Sequence, residues 1–539
     1  MLEQLSGLME AAPPLPVVVL ACLGVYLSGV SLYRLYLSPL SRFPGPKLAA
    51  LTGWYEFYYD IIKDGQFYLK VQKLHEKYGP IIRINPWELH ASDPVLFSQI
   101  YSSGVKHRIE KYAWSQQGLR LIDNSHILTE SHELHKLRRK PLATFFCSRN
   151  TDNMEPIIWQ ISRRIRSRLQ KLNRSGSVVK MEDLFTVVSA DLVTAFSFDD
   201  AVDLTETDEL QLPGSIYSAL QTVARVSAWL NHFSWVTGLI NAIPPTLLLR
   251  LAPTVATNNR LYLLVKKQFD SSRAARISTS KTTVTISDDE LTDELLSPDT
   301  KLIAHLLNSN LPPHERTPER VCAELLTIFM ATIFNIPRVM MVTTYHILAN
   351  PDIKEKLRSE LVDLLGPDMD SKQETPVWIK LNKAEYLKAC VKEGLRLFFG
   401  ALRGSARRNL DAPIVYKDWV ILPGTPVGMS AWMLNTDPEV YPDPLAFRPE
   451  RWLPGNHKPE MDRNFASLGR GSRTCLGIHL VYVFMRHLLV AMFGPGDRPE
   501  LTLYETEESD VATTVSGLSG LAKRGARGLR VVVEWMSAC

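Results

Sequence analysis

No CxxC pair occurs anywhere in the 539 residues, and the six cysteines, Cys22, Cys147, Cys322, Cys390, Cys475 and Cys539, follow no regular spacing. That pattern excludes a disulfide framework and a cysteine zinc site, and it points to a reducing compartment. Charge of one sign is equally scarce. The net charge of +4 is mild and dispersed, which argues against a nucleic-acid partner. From about Leu51 onward there are no internal repeats and no linker that would separate domains. Two tempting motifs fail on spacing. In "HELHK" (132–136) the second histidine comes one residue too early for a zinc-protease helix. "GRGSRT" (469–474) lacks the third glycine of a dinucleotide loop and follows no apolar strand.

What the chain does contain is enough apolar material for a large core, with 45% hydrophobic and 22% charged residues. Residues 11–33, "AAPPLPVVVLACLGVYLSGVSLY", carry no charge and are long enough to span a bilayer. A cleaved signal peptide is the alternative, but acidic Glu3 and Glu10 precede the run where a signal would be basic. Arg34, Arg42 and Lys47 follow it, so a retained anchor puts the bulk of the chain in the cytosol. Residues 35–50, with Pro39, Pro44 and Pro46, read as a stiff non-helical hinge. The remainder, 51–539, reads as one domain, mainly α with a minor β portion. Strand-like pieces occur at 79–86, 413–424 and 528–535, and the polar stretch 271–300 reads as a mobile loop.

A long central helix is expected from Thr317 as N-cap, with Pro318 at the first helical position, to "NPD" at 350–352. Inside it stands "ATIFNIP" (331–337), whose proline should cost one backbone hydrogen bond, that of the Ile333 carbonyl.

Near the C-terminus, "LGRGSRTCLG" (468–477) sets Cys475 just before an apolar helical run. Backbone N–H groups at a helix start stabilise a thiolate there. Gly469, Gly471 and Gly477 let the backbone fold closely round one sulfur, and Arg473 supplies a cation. The plain alternative is an inert buried cysteine. Upstream, Glu393 and Arg396 in "KEGLRL" are an i, i+3 pair, and "FRPERW" (447–452) is a charged turn. Each is ordinary alone.

In this order and spacing the three resemble the signature of the cytochrome P450 family of haem-thiolate monooxygenases, and the resemblance runs from the N-terminal run and the "FPGPK" hinge to the last strand. It implies the P450 fold, with haem b as cofactor and Cys475 as the axial ligand of its iron. It implies that Glu393 and Arg396, with Arg451 or Arg448, form a buried ion-pair set under the haem. Arg473, and His135 with Arg139 in "HELHKLRRK", resemble the residues that hold haem propionates; a solvated basic helix face is the alternative for the last two. Leu468 stands where the family usually has phenylalanine, with Phe465 close in sequence. Arg470, Arg486, Lys136, Arg138 and Lys140 would form a basic face suited to an acidic reductase, although each alone reads equally as solubilising charge.

The family's oxygen-activating segment aligns on "ATIFNIP", where Thr332 takes the place of a glycine, Phe334 of an acid and Asn335 of an alcohol. An amide does not relay protons as readily as a hydroxyl or carboxyl group. Three readings stay open: conventional oxygenation with a water-assisted relay, haem-dependent rearrangement, isomerisation or dehydration without oxygen activation, and a non-catalytic haem protein. The character of several segments resembles the fungal secondary-metabolism branch that includes trichodiene oxygenase-like enzymes. That implies an apolar, terpenoid-like substrate, electrons from NADPH through NADPH-cytochrome P450 reductase, and an endoplasmic reticulum membrane location. Residues 227–253, with Trp229, Phe233 and Trp235, read either as a membrane-dipping lip over an access channel or as plain packing core.

Overall fold

The computed structural model describes residues 14–101, 107–112, 114, 122–173, 178–198, 213–236, 239, 253–280, 301–367, 369, 376–517 and 519–536. An apolar helix opens it, α1 (Leu15–Leu32), continued by a π-helical turn at Tyr33–Leu37. Leu15–Leu37 is long and apolar enough to cross a membrane, and none of it is buried. The hinge is partly helical, because Lys47–Leu51 forms a short helix; only residues 38–46 between the two helical pieces match the expected irregular connector. Buried Arg83 ties this segment to the body, donating from Nη1 to the Arg34 carbonyl (2.6 Å) and from Nη2 to that of Pro86 (2.7 Å).

The body is built on helices α2 (His132–Phe145), α3 (Ser148–Asn173), α4 (Met181–Ser197), α5 (Pro213–His232), α6 (Pro253–Ser280), α7 (Pro318–Ala349), α8 (Pro351–Leu365), α9 (Glu385–Phe398) and α10 (Ile478–Phe493). Helix α7 is the axis, packed against α4, α5, α6, α9 and α10. Its start follows from local chemistry: the Thr317 side chain accepts from the Arg320 N–H, and Pro318 gives up no hydrogen bond at the first position. Pro337 does not end the helix, which runs on to Ala349. Ile336, Arg338 and Val339 beside it are all buried, so tertiary packing on both sides offsets the roughly 3 kcal/mol that an interior proline costs.

Strands are few and short. β1 (Ile81–Arg83), β2 (Leu89–Ala91), β3 (Ile109–Lys111), β5 (Arg407–Asn409) and β8 (Val427–Met429) form one sheet in the order β1-β2-β8-β5-β3. β2 and β8 run parallel, and the other neighbours pair antiparallel. β4 (Val179–Lys180), β10 (Arg530–Met536) and β9 (Arg498–Leu503) form a second sheet, while β6 (Ile414–Tyr416) and β7 (Trp419–Ile421) make a hairpin. The three strand-like stretches of the sequence correspond to β1, the β6–β7 hairpin and β10. The expected loop at 271–300 is corrected over its first part, since α6 runs to Ser280; 281–300 lies outside the described residues. The expected lip falls partly on α5, with 237–238 and 240–252 outside the described residues.

Candidate functional site

Gly471–Arg473 forms a tight turn just before α10, with Gly469 and Gly471 at φ of 68° and 74°, a region that disfavours side chains. The Cys475 N–H donates to the Leu468 carbonyl at 2.7 Å, closing the loop. Burial pushes the Cys475 thiol up, against the Gly477 N–H and the Arg139 charge, which favour the thiolate. A Cβ on Gly477 would meet nothing within 4 Å, so the backbone borders open space there. Leu468 belongs to this loop by its carbonyl, while Phe465 packs edge-on against Trp452, ring centroids 6.0 Å apart.

Helix α2 brings a second group to the same place. Arg139 donates from Nη2 to the Thr474 carbonyl at 2.8 Å, next to the cysteine. His135 is buried one turn earlier and is held down to about 2, first by burial and then by the charges of Arg473, His126, Arg139 and Arg407. Arg473 donates from Nη2 to the Glu130 carbonyl (2.8 Å), but its Nε and Nη1 are buried with no partner among the described residues. It is lowered to about 9 by burial and by Arg407 and Arg139. Arg407 on β5 and Lys111 on β3 are lowered too, Lys111 by burial and by Arg407 and Arg473. Neither appears among the sequence candidates, because a short strand reading "ARRN" looks like surface charge until the sheet carries it inward.

Cations crowd one another here, Lys111 buried and Arg139, Arg407 and Arg473 half-buried, and two nitrogens of Arg473 have no acceptor among the described residues. A group carrying carboxylates would relieve both deficits. The residues therefore fit an anionic group that would bring its carboxylates to Arg473 and its neighbours Arg139, His135 and Arg407, beside the Cys475 thiol.

Behind this loop, Glu393 and Arg396 on α9 are completely buried. Arg396 donates from Nε (2.9 Å) and Nη2 (2.8 Å) to the two Glu393 oxygens, and from Nη1 to the carbonyls of Asn435 (2.8 Å) and Pro444 (2.6 Å). Arg451 donates to Glu393 Oε1 at 3.0 Å, and Trp452 Nε1 to Oε2 at 2.9 Å. Between the two arginine candidates the geometry separates the roles. Arg448 reaches Glu393 only through its backbone N–H (3.0 Å), and its side chain pairs with Asp443 at the surface (2.6 Å).

Of the five basic residues expected on the outer face, two are engaged inward. Arg138 forks onto Glu315, at 2.7 and 2.9 Å, and Arg486 is largely buried, with Asn382 (3.1 Å) and Glu155 (3.7 Å) as partners. Lys136 and Lys140 are exposed.

On α7 the pattern of burial changes at mid-helix. Ala331 is exposed, with Met330, Thr332 and Asn335 half-buried, between stretches that are otherwise buried. Here α7 borders an open space within the core, and it packs on α10, the helix that follows Cys475. The Thr332 hydroxyl donates to the Ile328 carbonyl (2.8 Å). Phe334 turns into the core beside Tyr217 of α5, ring centroids 5.9 Å apart. Asn335 donates from Nδ2 to the Ala331 carbonyl (2.9 Å), and its Oδ1 accepts from the Ser519 hydroxyl (2.8 Å). Ser519 carried no signal in the sequence, because it lies in a glycine-rich turn 184 residues away.

Comparison with known proteins agrees with this arrangement. A family model for cytochrome P450 matches residues 44–494. The chain is 34% identical to cytochrome P450 monooxygenase oblB of Aspergillus clavatus, over 96% of both chains. It is 37% identical to cytochrome P450 monooxygenase tndB of Aspergillus flavipes, over 86% of this chain and 95% of the other. To fusicoccadiene C-8 hydroxylase of Phomopsis amygdali the identity is 32%, over 96% and 95%. With the match covering most of its length, the chain belongs to the cytochrome P450 family, the haem enzymes to which these fungal monooxygenases also belong.

Proposed function

We propose that this chain is a membrane-anchored monooxygenase that oxidises an apolar terpenoid-like metabolite with dioxygen and electrons from NADPH, delivered by NADPH-cytochrome P450 reductase at the endoplasmic reticulum. The observation that carries the haem-site assignment is the half-buried group of Arg473, Arg139 and Arg407 around the Cys475 loop, with Arg473 Nε and Nη1 lacking a partner among the described residues. The haem b group supplies the oxygen-activating chemistry when bound. Cys475 would hold it, Arg473, Arg139 and Arg407 would neutralise its carboxylates, and His135, kept uncharged, could offer one only a hydrogen bond. The Glu393, Arg396 and Arg451 set keeps the loop that carries Cys475 from shifting, since each charge would be stranded without the others. Gly471 and Gly477 leave room for close approach. On the opposite side, Thr332 and Asn335 border the space where substrate and oxygen meet. Phe334, turned into the core beside Tyr217, supplies no proton to that space.

The substrate class is supported by the apolar surroundings and by the relative named for fusicoccadiene hydroxylation. Membrane access is supported by α1 and by a surface continuous with it: Trp54 is 61% exposed, and Tyr58, Ile62, Trp229 and Trp235 are exposed as well. Phe57 stacks edge-on with Trp229 (5.7 Å) and Phe233 (5.5 Å), joining the post-anchor segment to the end of α5. The exposed Lys136 and Lys140 and the Arg470 side chain support docking of an acidic reductase.

A second reading, haem-dependent rearrangement without oxygen activation, rests on Phe334 and Asn335 standing on α7 where the family has an acid and an alcohol. Expression with a reductase, with terpenoid hydrocarbons offered in the presence and absence of NADPH and oxygen, separates the two. Oxygenated product that requires both supports the proposal, and product formed without either supports rearrangement. A reduced carbon monoxide complex lacking the thiolate-type band would overturn both.

A further inference from the structure

The amide of Asn335 is held by two bonds that leave it one orientation. Its Nδ2 must face the Ala331 carbonyl, which can only accept, and its Oδ1 must face the Ser519 hydroxyl, which donates to it (2.9 and 2.8 Å). One N–H of the amide is spent on Ala331. The other has no acceptor among the described residues, and it belongs to a side chain at the edge of the open strip of α7.

Ser519 is itself held by a constructed turn. Val515 and Leu521 pair as a bridge, and the Gly520 N–H donates to the Gly400 carbonyl (2.8 Å). The Ser516 N–H donates to Gly65 (3.2 Å), and the Thr514 carbonyl accepts from Gln66 Nε2 (2.8 Å) and the Tyr68 hydroxyl (3.1 Å). The base of the turn is bound to α7, because buried Arg338 donates from Nη2 to the Ala512 carbonyl (2.8 Å) and lies near the Thr513 hydroxyl (3.4 Å). Arg338 sits three residues after Asn335, so the same helix holds both the foot and the tip of the turn.

We propose that Ser519 is a positioning residue for the oxygen side of the pocket. Its hydroxyl fixes the Asn335 amide so that the free N–H presents a hydrogen-bond donor to a small ligand bound opposite Cys475. On α7 the Thr332 hydroxyl is spent on the Ile328 carbonyl and Asn335 carries an amide, so the C-terminal turn supplies a hydroxyl from outside the helix. Without Ser519 the Ala331 carbonyl still holds Nδ2, but the amide loses its second anchor, so the free N–H is no longer fixed at one angle toward the same ligand.

This inference rests on the P450 reading above, and the test keeps the two apart. The holoenzyme and its Ser519→Ala and Ser519→Thr variants are reduced, saturated with carbon monoxide and examined by infrared spectroscopy. Product formed per NADPH consumed is measured in parallel. If the unaltered protein gives no thiolate-type carbon monoxide band, the functional reading fails rather than this one. Given that band in all three, Ser519→Ala is expected to shift or broaden the carbon monoxide stretch. It should also lower coupling about three- to tenfold, the scale of one neutral hydrogen bond, while Ser519→Thr stays close to the unaltered protein. An unchanged stretch in Ser519→Ala would overturn the proposal, whatever the coupling. So would a Ser519→Thr variant as impaired as Ser519→Ala, because the turn rather than the hydroxyl would then matter.

Discussion

At Glu393 a single carboxylate accepts from two buried guanidiniums, an indole and a backbone N–H, and no water reaches it. Removing it leaves Arg396 and Arg451 as buried cations with only carbonyls to face. Glu393→Ala is therefore expected to cost about 3–5 kcal/mol, read as a lower urea midpoint, with reduced haem content in the purified protein. Arg448→Ala, by contrast, removes only a surface pair with Asp443 and should shift the midpoint by less than about 1 kcal/mol. If both variants lose stability equally, the division of roles between Arg451 and Arg448 is wrong. The Glu393 and Arg396 pair was legible in the sequence because an i, i+3 spacing survives any fold. Arg407 and Lys111 were not, since a strand of three residues says nothing about where its sheet will place it.

Among the elements, the close crossing of α7 and α9 depends on one glycine. A Cβ on Gly394 would lie 1.9 Å from the Thr343 hydroxyl oxygen, which is committed to the Val339 carbonyl (2.8 Å). Gly394→Ala should cost about 1–3 kcal/mol through overpacking. Adding Thr343→Ala, which removes the nearest atom, should recover part of that loss in a double-mutant cycle. Additive losses would show that the two helices do not meet as described. The same helix shows why Pro337 misleads as a stop signal. Propensity describes an isolated helix, whereas α7 is packed along nearly its whole length, and burial of Ile336, Arg338 and Val339 outweighs the missing bond. Periodicity and caps made α7 legible end to end; the burial change at Ala331 depends on which neighbours stay away from it.

Buried histidines weaken the molecule in acid, while Glu88, Glu155 and Glu182, pushed up by burial to about 8, 7 and 7, act the other way. His75 Nδ1 bonds the Gly79 carbonyl (2.8 Å) and its Nε2 shares one proton with His90 Nδ1 (2.8 Å), so the two rings cannot both be charged while these bonds hold. Burial holds His75 and His487 down to about 4, and His90 well below its ordinary value. These groups are bases whose folded pKa lies below the unfolded value near 6.5. Between the two values the unfolded chain binds more protons, so stability is complete above about pH 6.5 and falls as pH drops toward 4, by roughly 1.4 kcal/mol per unit for each group. His487→Phe should therefore gain stability relative to the unaltered protein as pH falls from 7 to about 5, and an unchanged difference between the two urea midpoints would contradict this. Removal of residues 1–32 should leave the midpoint at neutral pH unchanged, because α1 buries nothing. The shortened protein should still bind lipid vesicles, more weakly, through the surface around Trp54, Trp229 and Trp235. Complete loss of vesicle binding would confine membrane contact to the anchor.

By itself the sequence determined whatever depends on neighbours along the chain. These are the apolar N-terminal run, the capped central helix, the hairpin and last strand, the glycine-bounded turn before Cys475, and the Glu393-to-Arg396 spacing. Tertiary structure alone decided which charges end up together without a partner, and which hydroxyl meets which amide. Arg407 joins Arg473 because β5, paired between β8 and β3, delivers it, and Ser519 meets Asn335 because a turn anchored by Arg338 folds back over α7. Local pattern carries the first kind of information because hydrogen-bond periods and caps act within a few residues. Burial and charge balance are sums over the whole fold, and only the folded chain performs them.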